Sequence, residues 1–184
     1  MAKIYTFRVI LDTEEDVFRD IVISADDLFL NLHNEIKKAF QFDGSEMASF
    51  YMSDDEWIKG QEVTLMKMDF DDGSSSVEMN STPIDEFIRN HADKMVYVFD
   101  FMLMWCFFVE LVNISEIKPL KQVPYCEKSV GESPYQYGKK LEPKSEDDKH
   151  LLSNKKIVTA DDLLKGFDDI IDPMDEFDEL PDDF

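Results

Sequence analysis

Cysteine is scarce in this sequence: Cys106 and Cys126 are the only two in 184 residues. Two thiols cannot build the disulfide framework of a secreted chain of this size, and their spacing fits no zinc pattern. The expectation is a cytoplasmic protein with reduced thiols. Long apolar runs are missing as well. The longest, residues 101–109, sits between Asp100 and Glu110 and falls far short of the roughly 20 residues a membrane helix needs. The opening Met1-Ala2-Lys3-Ile4-Tyr5 has no basic stretch followed by an apolar one, so no secretory signal is expected. Positive charge is in short supply: 19 Lys and Arg face 41 Asp and Glu, a formal net charge of -22. Such a surface repels nucleic acid and anionic membranes alike. Nucleic-acid binding would need a local basic patch, and the one lysine-richer stretch holds Lys118, Lys121, Lys128, Lys139, Lys140 and Lys144.

What the chain does have is apolar bulk: 43% hydrophobic residues, 12% aromatic, with 15 Phe. That share builds one sizeable core and excludes wholesale disorder despite the charge. Residues 3–11 alternate, with Tyr5, Phe7, Val9 and Leu11 on one face, which predicts a strand. A polar turn at residues 12–16 leads to a second β-rich run over 17–23. Ser24 with Asp27 resembles a capping box. From there Leu28, Leu32, Ile36 and Ala39 form a helical stripe that predicts a helix over about 26–40. Short strands are expected at 48–53 and 62–67, a short helix at 83–89, and two central strands at 94–101 and 105–114. Periodicity fades over 118–156. The predicted fold is α+β, a mainly antiparallel mixed sheet of about five or six strands with a long helix packed on one face.

The candidate chemistries are thin. Asp69-Phe70-Asp71-Asp72-Gly73 invites a calcium reading, but an EF-hand with its glycine at Gly73 needs oxygen ligands where Met68, Phe70 and Met79 stand. The segment reads as a loop, and neither a metal nor another cofactor is expected. His33, at the edge of the helical stripe, would need an orienting carboxylate or a nucleophile to be functional. Cys106 lies in apolar sequence with no visible activating charge. Arg19 sits in strand-like sequence, where a carboxylate on a neighbouring strand would explain it and an anion-binding role is the alternative. No phosphate-binding, dinucleotide or nucleophile-elbow motif is present.

A family resemblance rests on two stretches. Residues 17–23 (Val-Phe-Arg-Asp-Ile-Val-Ile) are followed by Leu28 and then by Leu32-His33-Asn34-Glu35-Ile36-Lys37-Lys38-Ala39-Phe40-Gln41-Phe42-Asp43; further on come Tyr97-Val98-Phe99-Asp100-Phe101 and Trp105. Together they resemble the Ri-plasmid ORF-3-like family, whose members are also named as passenger proteins of insertion elements, and the likeness spans about residues 4–138. Departures are concentrated in polar positions. Glu46-Met47-Ala48-Ser49-Phe50 stands where the family tends to have His-Leu-His-x-Phe. Met102-Leu103-Met104-Trp105-Cys106-Phe107 stands where it has Gly-Asp-Asp-Trp-x-His. By this analogy Met102, Leu103 and Met104 fall at a hairpin turn. Apolar residues there are either covered or offered to a partner, since an exposed apolar patch is costly; the alternative is one longer strand with no apex.

The last 26 residues are a separate matter. Residues 159–184 hold eleven acidic side chains against Lys165 alone, roughly -10 of the total charge. Within them Leu163, Leu164, Phe167, Ile170 and Ile171 follow the spacing of an amphipathic helix. That stripe docks on the chain's own core or binds a groove on another protein. The expected organisation is a domain over 1–138, a polar linker over 139–156 and an acidic helix and tail over 157–184. Two functional classes follow. One is a non-catalytic protein-interaction module of the ORF-3-like family, with Met102, Leu103, Met104 and the acidic segment as contacts and a homo-oligomer among the outcomes. The other is an enzyme or small-ligand-binding protein using a cleft near His33, Arg19 and Trp105.

Overall fold

A computed structural model describes residues 3–67, 76–116, 119 and 121–139. Eight strands form one sheet: β1 (Ile4–Leu11), β2 (Phe18–Ser24), β3 (Ala48–Ser53), β4 (Lys59–Thr64), β5 (Val77–Glu78), β6 (Lys94–Phe99), β7 (Trp105–Ser115) and β8 (Tyr125–Val130). Their order across the sheet is β5-β4-β3-β6-β7-β1-β2-β8. Every pairing is antiparallel except β4 with β5, so the sheet is mixed and mainly antiparallel as expected.

The expected five or six strands undercount the sheet, and the expected long helix is short. The missed strands are β5, two residues long, and β8, whose Tyr-Cys-Glu-Lys-Ser-Val has no clean alternation to reveal it. Helix α1 (Phe29–Ala39) has eleven residues and starts later than predicted. Its N-cap is Leu28, with no side-chain cap bond. The residues before it are instead held in a backbone exchange with the segment at 82–85: Phe29 N–H donates to Thr82 O, Ile84 N–H to Asp27 O, and Asp85 N–H to Ala25 O. Asp27 Oδ1 accepts from Leu28 N–H and from Asn31 Nδ2. The helix expected over 83–89 shrinks to a single 3-10 turn, Ile84–Glu86.

Alternation sorts the sheet into two faces. Tyr5, Phe7, Val9 and Leu11 of β1, Tyr97 and Phe99 of β6, and Phe107, Val109 and Leu111 of β7 point to the side that α1 covers. They pack there with Phe29, Leu32, Ile36 and Phe40 in one core. The other face carries Ile10, Phe18, Phe108 and Val96 in one cross-strand row and Asp20, Arg8, Glu110 and Lys94 in the next. Arg8 and Asp20 form a two-pronged pair there, with both N–H···O distances 2.9 Å. No described helix is long and apolar enough to cross a membrane.

Where β8 ends, Gly131 adopts φ +73° beside the start of β2. A Cβ at this glycine would lie 2.5 Å from Asp16 O and 3.0 Å from Val17 Cα. The chain therefore turns across the sheet edge only with glycine here. It then runs back along the end of α1 as residues 132–139. Residues 140–156 of the expected linker and the acidic segment with Leu163, Leu164, Phe167, Ile170 and Ile171 lie outside the described residues, as do residues 68–75 of the calcium-like loop.

Candidate functional site

Three stretches meet at the end of the sheet where β6 turns into β7. Asp100 and Met104 both take left-handed backbone angles, φ 59° and 53°, so the chain reverses within residues 100–104. Asp100 makes this tight turn feasible. It tolerates the left-handed region better than most residues, and its Oδ1 accepts from the N–H groups of Met102 and Leu103, both at 3.0 Å. Met104 N–H closes the turn on Asp100 O at 2.6 Å. Asp100 N–H donates to Met47 O, which ties the turn to the loop before β3.

The second stretch follows β8. Gln136 is buried and grips the backbone of Asp43 from both sides: Asp43 N–H donates to its Oε1 at 2.6 Å, and its Nε2 donates to Asp43 O at 3.1 Å. Trp105 Nε1 donates to Gln136 O at 3.1 Å. Lys139 Nζ donates to Met104 O and lies 4.8 Å from the centre of the Trp105 ring. Ser133 Oγ donates to Phe40 O at the end of α1, and the Tyr137 hydroxyl donates to Asp43 Oδ1. The third stretch, residues 40–44, is thus stitched to the second.

On this framework stand four large exposed side chains: Met102 is 76% exposed, Tyr135 74%, Tyr137 50% and Phe101 38%. The Tyr135 and Tyr137 rings meet edge to face, 5.8 Å between centres. The Tyr137 hydroxyl is pushed up to about 12 by its hydrogen bond to Asp43 and by the negative charge of Asp43 and Glu46. Large apolar groups exposed together on a rigid support are what a contact face requires, and methionine adapts its shape to a partner.

The other sequence candidates turn inward. Trp105 is buried on Phe42, ring centres 5.1 Å apart, and forms the floor under the turn. Arg19 is only 3% exposed, and its partners are carbonyls rather than the expected carboxylate. Nε donates to Ala39 O, Nη1 to Phe18 O and Val130 O, and Nη2 to Gly131 O, while the guanidinium lies 4.8 Å from the centre of the Phe40 ring. A helix C-terminus gathers partial negative charge on its last carbonyls, and Arg19 meets it together with Lys37 and Lys38 in the last turn. Burial pulls the Arg19 pKa down, yet a guanidinium stays charged in proteins.

His33 lies buried between Tyr97 and Phe99, with Nδ1 2.8 Å from the Tyr97 hydroxyl. Burial, and then the nearby Lys37 charge, lower its pKa to about 4. The imidazole is neutral at pH 7, and a Tyr97 O–H donated to Nδ1 satisfies both groups. Because the folded pKa lies below the unfolded value near 6.5, the unfolded state binds the extra proton between them. Stability therefore falls as pH drops from about 6.5 toward 4, with a slope approaching one proton. Urea titrations at closely spaced pH should show this component in the native chain and lose it in His33→Gln. An identical slope in both would assign the acid sensitivity elsewhere.

Gln136, Tyr135 and Tyr137 escape the sequence reading. Their one signal is a Tyr-Gln-Tyr cluster inside a stretch otherwise composed as a linker. An open cleft of about 600 Å3 lies apart from this site, lined by Lys3, Tyr5, Ala25, Asp26, Asp85, Glu86 and Arg89. Among the described residues no group of three or more His, Cys, Asp or Glu is arranged to hold a metal ion.

Residues 3–138 match the model of a family described as plasmid pRiA4b ORF-3-like protein. A crystal structure of a protein of unknown function, MM3350 from Methanosarcina mazei Go1, is similar in fold. The TM-score is 0.59 at 20% identity, over 70% of each chain. No curated protein matches the chain.

Proposed function

The chain belongs to the plasmid pRiA4b ORF-3-like family, and we propose that it acts as a non-catalytic protein-interaction module. The observation that carries this reading is the exposed group Phe101, Met102, Tyr135 and Tyr137, held on a turn and a strap whose backbones are bonded to the core. Such rigidity lowers the entropy that association would otherwise cost. Of the positions that depart from the family's polar pattern, Met102 stands on this face, while Leu103 and Met104 are half-buried and Leu103 packs against the core. The acidic segment, with its stripe of Leu163, Leu164, Phe167, Ile170 and Ile171, supplies a second contact in this reading.

The test compares affinity capture from native extract by the full chain, by Met102→Ser/Tyr135→Ser, and by a chain ending before the acidic segment. Both substituted side chains are exposed, so the double variant should keep its stability within about 0.5 kcal/mol. We expect it to lose proteins that the unsubstituted chain retains. A capture pattern unchanged by the double substitution would remove the turn and strap from the interaction surface.

A further inference from the structure

We infer that the open cleft floored by Tyr5 and Ala25 binds a basic amino acid, a small ligand with one carboxylate and two cationic groups. The inference stands apart from the interaction-module reading, which concerns the turn and the strap.

Three stretches of chain form the cleft as one bonded frame. Ala25 N–H donates to Lys3 O and Asp85 N–H to Ala25 O, both at 2.9 Å. The Tyr5 hydroxyl donates to Ile88 O at 3.0 Å. Arg89 Nε and Nη2 donate to Asp85 O and Glu86 O, each at 3.0 Å. Tyr5 and Ala25 are buried in the floor, and the exposed Lys3, Asp26, Asp85, Glu86 and Arg89 line the rest. The volume of about 600 Å3 suits a small molecule. Such sites are mostly apolar, whereas charge lines this one, so it selects a charged ligand.

The five charges do not neutralise one another. The ion pairs among the described residues are Arg8–Asp20, Lys38–Glu35 and Lys94–Asp55, and none includes a cleft residue. Arg89 is held by carbonyls and keeps its other N–H donors, and Asp26 accepts only an uncharged hydroxyl, that of Ser24. Three carboxylates and two cations therefore share the cleft. A ligand with a carboxylate for Lys3 and Arg89 and two cationic groups for Asp26, Asp85 and Glu86 matches both the signs and the surplus. The Tyr5 hydroxyl on the floor senses that surplus: burial first, then the charges of Asp85 and Asp93, raise its pKa against the opposing effect of Arg89. A diamine would leave the two cations unmatched, and a neutral amino acid would leave carboxylates unmatched.

The experiment titrates the full chain with L-lysine by calorimetry at low salt, where exposed charges are least screened. Three further probes each change one group: cadaverine lacks the carboxylate, L-norleucine lacks the side-chain ammonium, and L-glutamate carries a negative side chain instead. L-lysine should bind at least about fivefold tighter than any of the three, the scale that exposed charge contacts supply. Asp85→Asn/Glu86→Gln should weaken L-lysine about tenfold and L-norleucine less. Lys3→Gln should weaken L-lysine and L-norleucine about threefold and leave cadaverine no weaker. The substituted side chains are exposed, so both variants should unfold at close to the native midpoint. Absence of L-lysine binding would overturn the inference, as would L-lysine binding no tighter than cadaverine or L-norleucine. L-lysine binding unchanged in Asp85→Asn/Glu86→Gln would overturn it too, because general attraction to an acidic chain would then explain the signal. None of these results touches Met102 or Tyr135, so the interaction-module reading stands or falls by the capture experiment alone.

Discussion

Replacing Arg19 by methionine should destabilise the protein by about 3–5 kcal/mol, a drop in unfolding midpoint on the order of 10 °C or more. Methionine restores much of the apolar stem, so the loss isolates the guanidinium. That group joins three elements at once. It closes the last turn of α1 through Ala39 O, the start of β2 through Phe18 O, and the end of β8 through Val130 O and Gly131 O. Without it the carbonyls at a buried helix end lose a charged donor, and the Phe40 ring loses the cation above it. Lysine keeps the charge but cannot fork to the same set of carbonyls. Arg19→Lys should therefore recover less than half of the loss. Urea and thermal unfolding of the three proteins measure this directly. A loss below about 1 kcal/mol in Arg19→Met would mean that water reaches these carbonyls and that the clamp contributes little.

Phe42→Ala should cost a similar amount, about 3–5 kcal/mol, and should also disable the contact face. Phe42 follows α1 and lies within ring contact of Phe40, Phe99, Trp105 and Phe107, at centre distances from 5.1 to 6.3 Å. It is the side chain on which Trp105 rests, and Trp105 in turn holds the strap through Gln136 O. Removing the ring opens a cavity under both supports. The expected signature is a red-shifted tryptophan emission together with loss of the proteins captured through Met102 and Tyr135, at a temperature where the variant is still folded. Phe42→Leu refills part of the cavity and should recover part of both effects. A destabilised variant with the native chain's capture pattern would separate the core from the contact face.

The sequence speaks clearly where one face of an element is buried and the other is not. Tyr5, Phe7, Val9 and Leu11 alternate with partly exposed neighbours, and β1 stands where that alternation places it. The strand expected over 48–53 stands over the same residues, Ala48–Ser53. Legibility fails where partners distant in sequence decide. The start of α1 moves inward because backbone groups at 82–85 bond the residues that a capping box would otherwise initiate. β8 exists because β2 offers it a ladder: its own residues include Glu127 and Lys128 and only a weak apolar pattern. The expected strand over 62–67 begins earlier, at Lys59, after a turn in which Asp54 Oδ1 accepts from Glu56 and Ile58 N–H groups. As for the site, Met102 and its neighbours could be singled out as apolar residues at an expected turn. Tyr135, Gln136 and Tyr137 could not, because only the fold brings a stretch of linker-like composition against residues 40–44.

The strand order also bears on how the chain is made. β1 and β2 emerge first and can pair at once, yet the outer edge of β1 belongs to β7 and the outer edge of β2 to β8. The Arg19–Val130 bond that finally seals the second edge spans 111 positions. At a synthesis rate of about 5–20 residues per second, the nascent hairpin keeps both flanks open for several seconds. An open strand flank is a template for pairing with a neighbouring chain, and charge placed along it is the usual deterrent. Arg8 and Asp20 already pair with each other across the hairpin, and Arg19 stands near the start of β2. A foreign strand that docked early on β2 would leave Arg19 without the Val130 and Gly131 carbonyls that it meets in the finished sheet. The residue that locks the finished sheet thus guards the unfinished one on the ribosome.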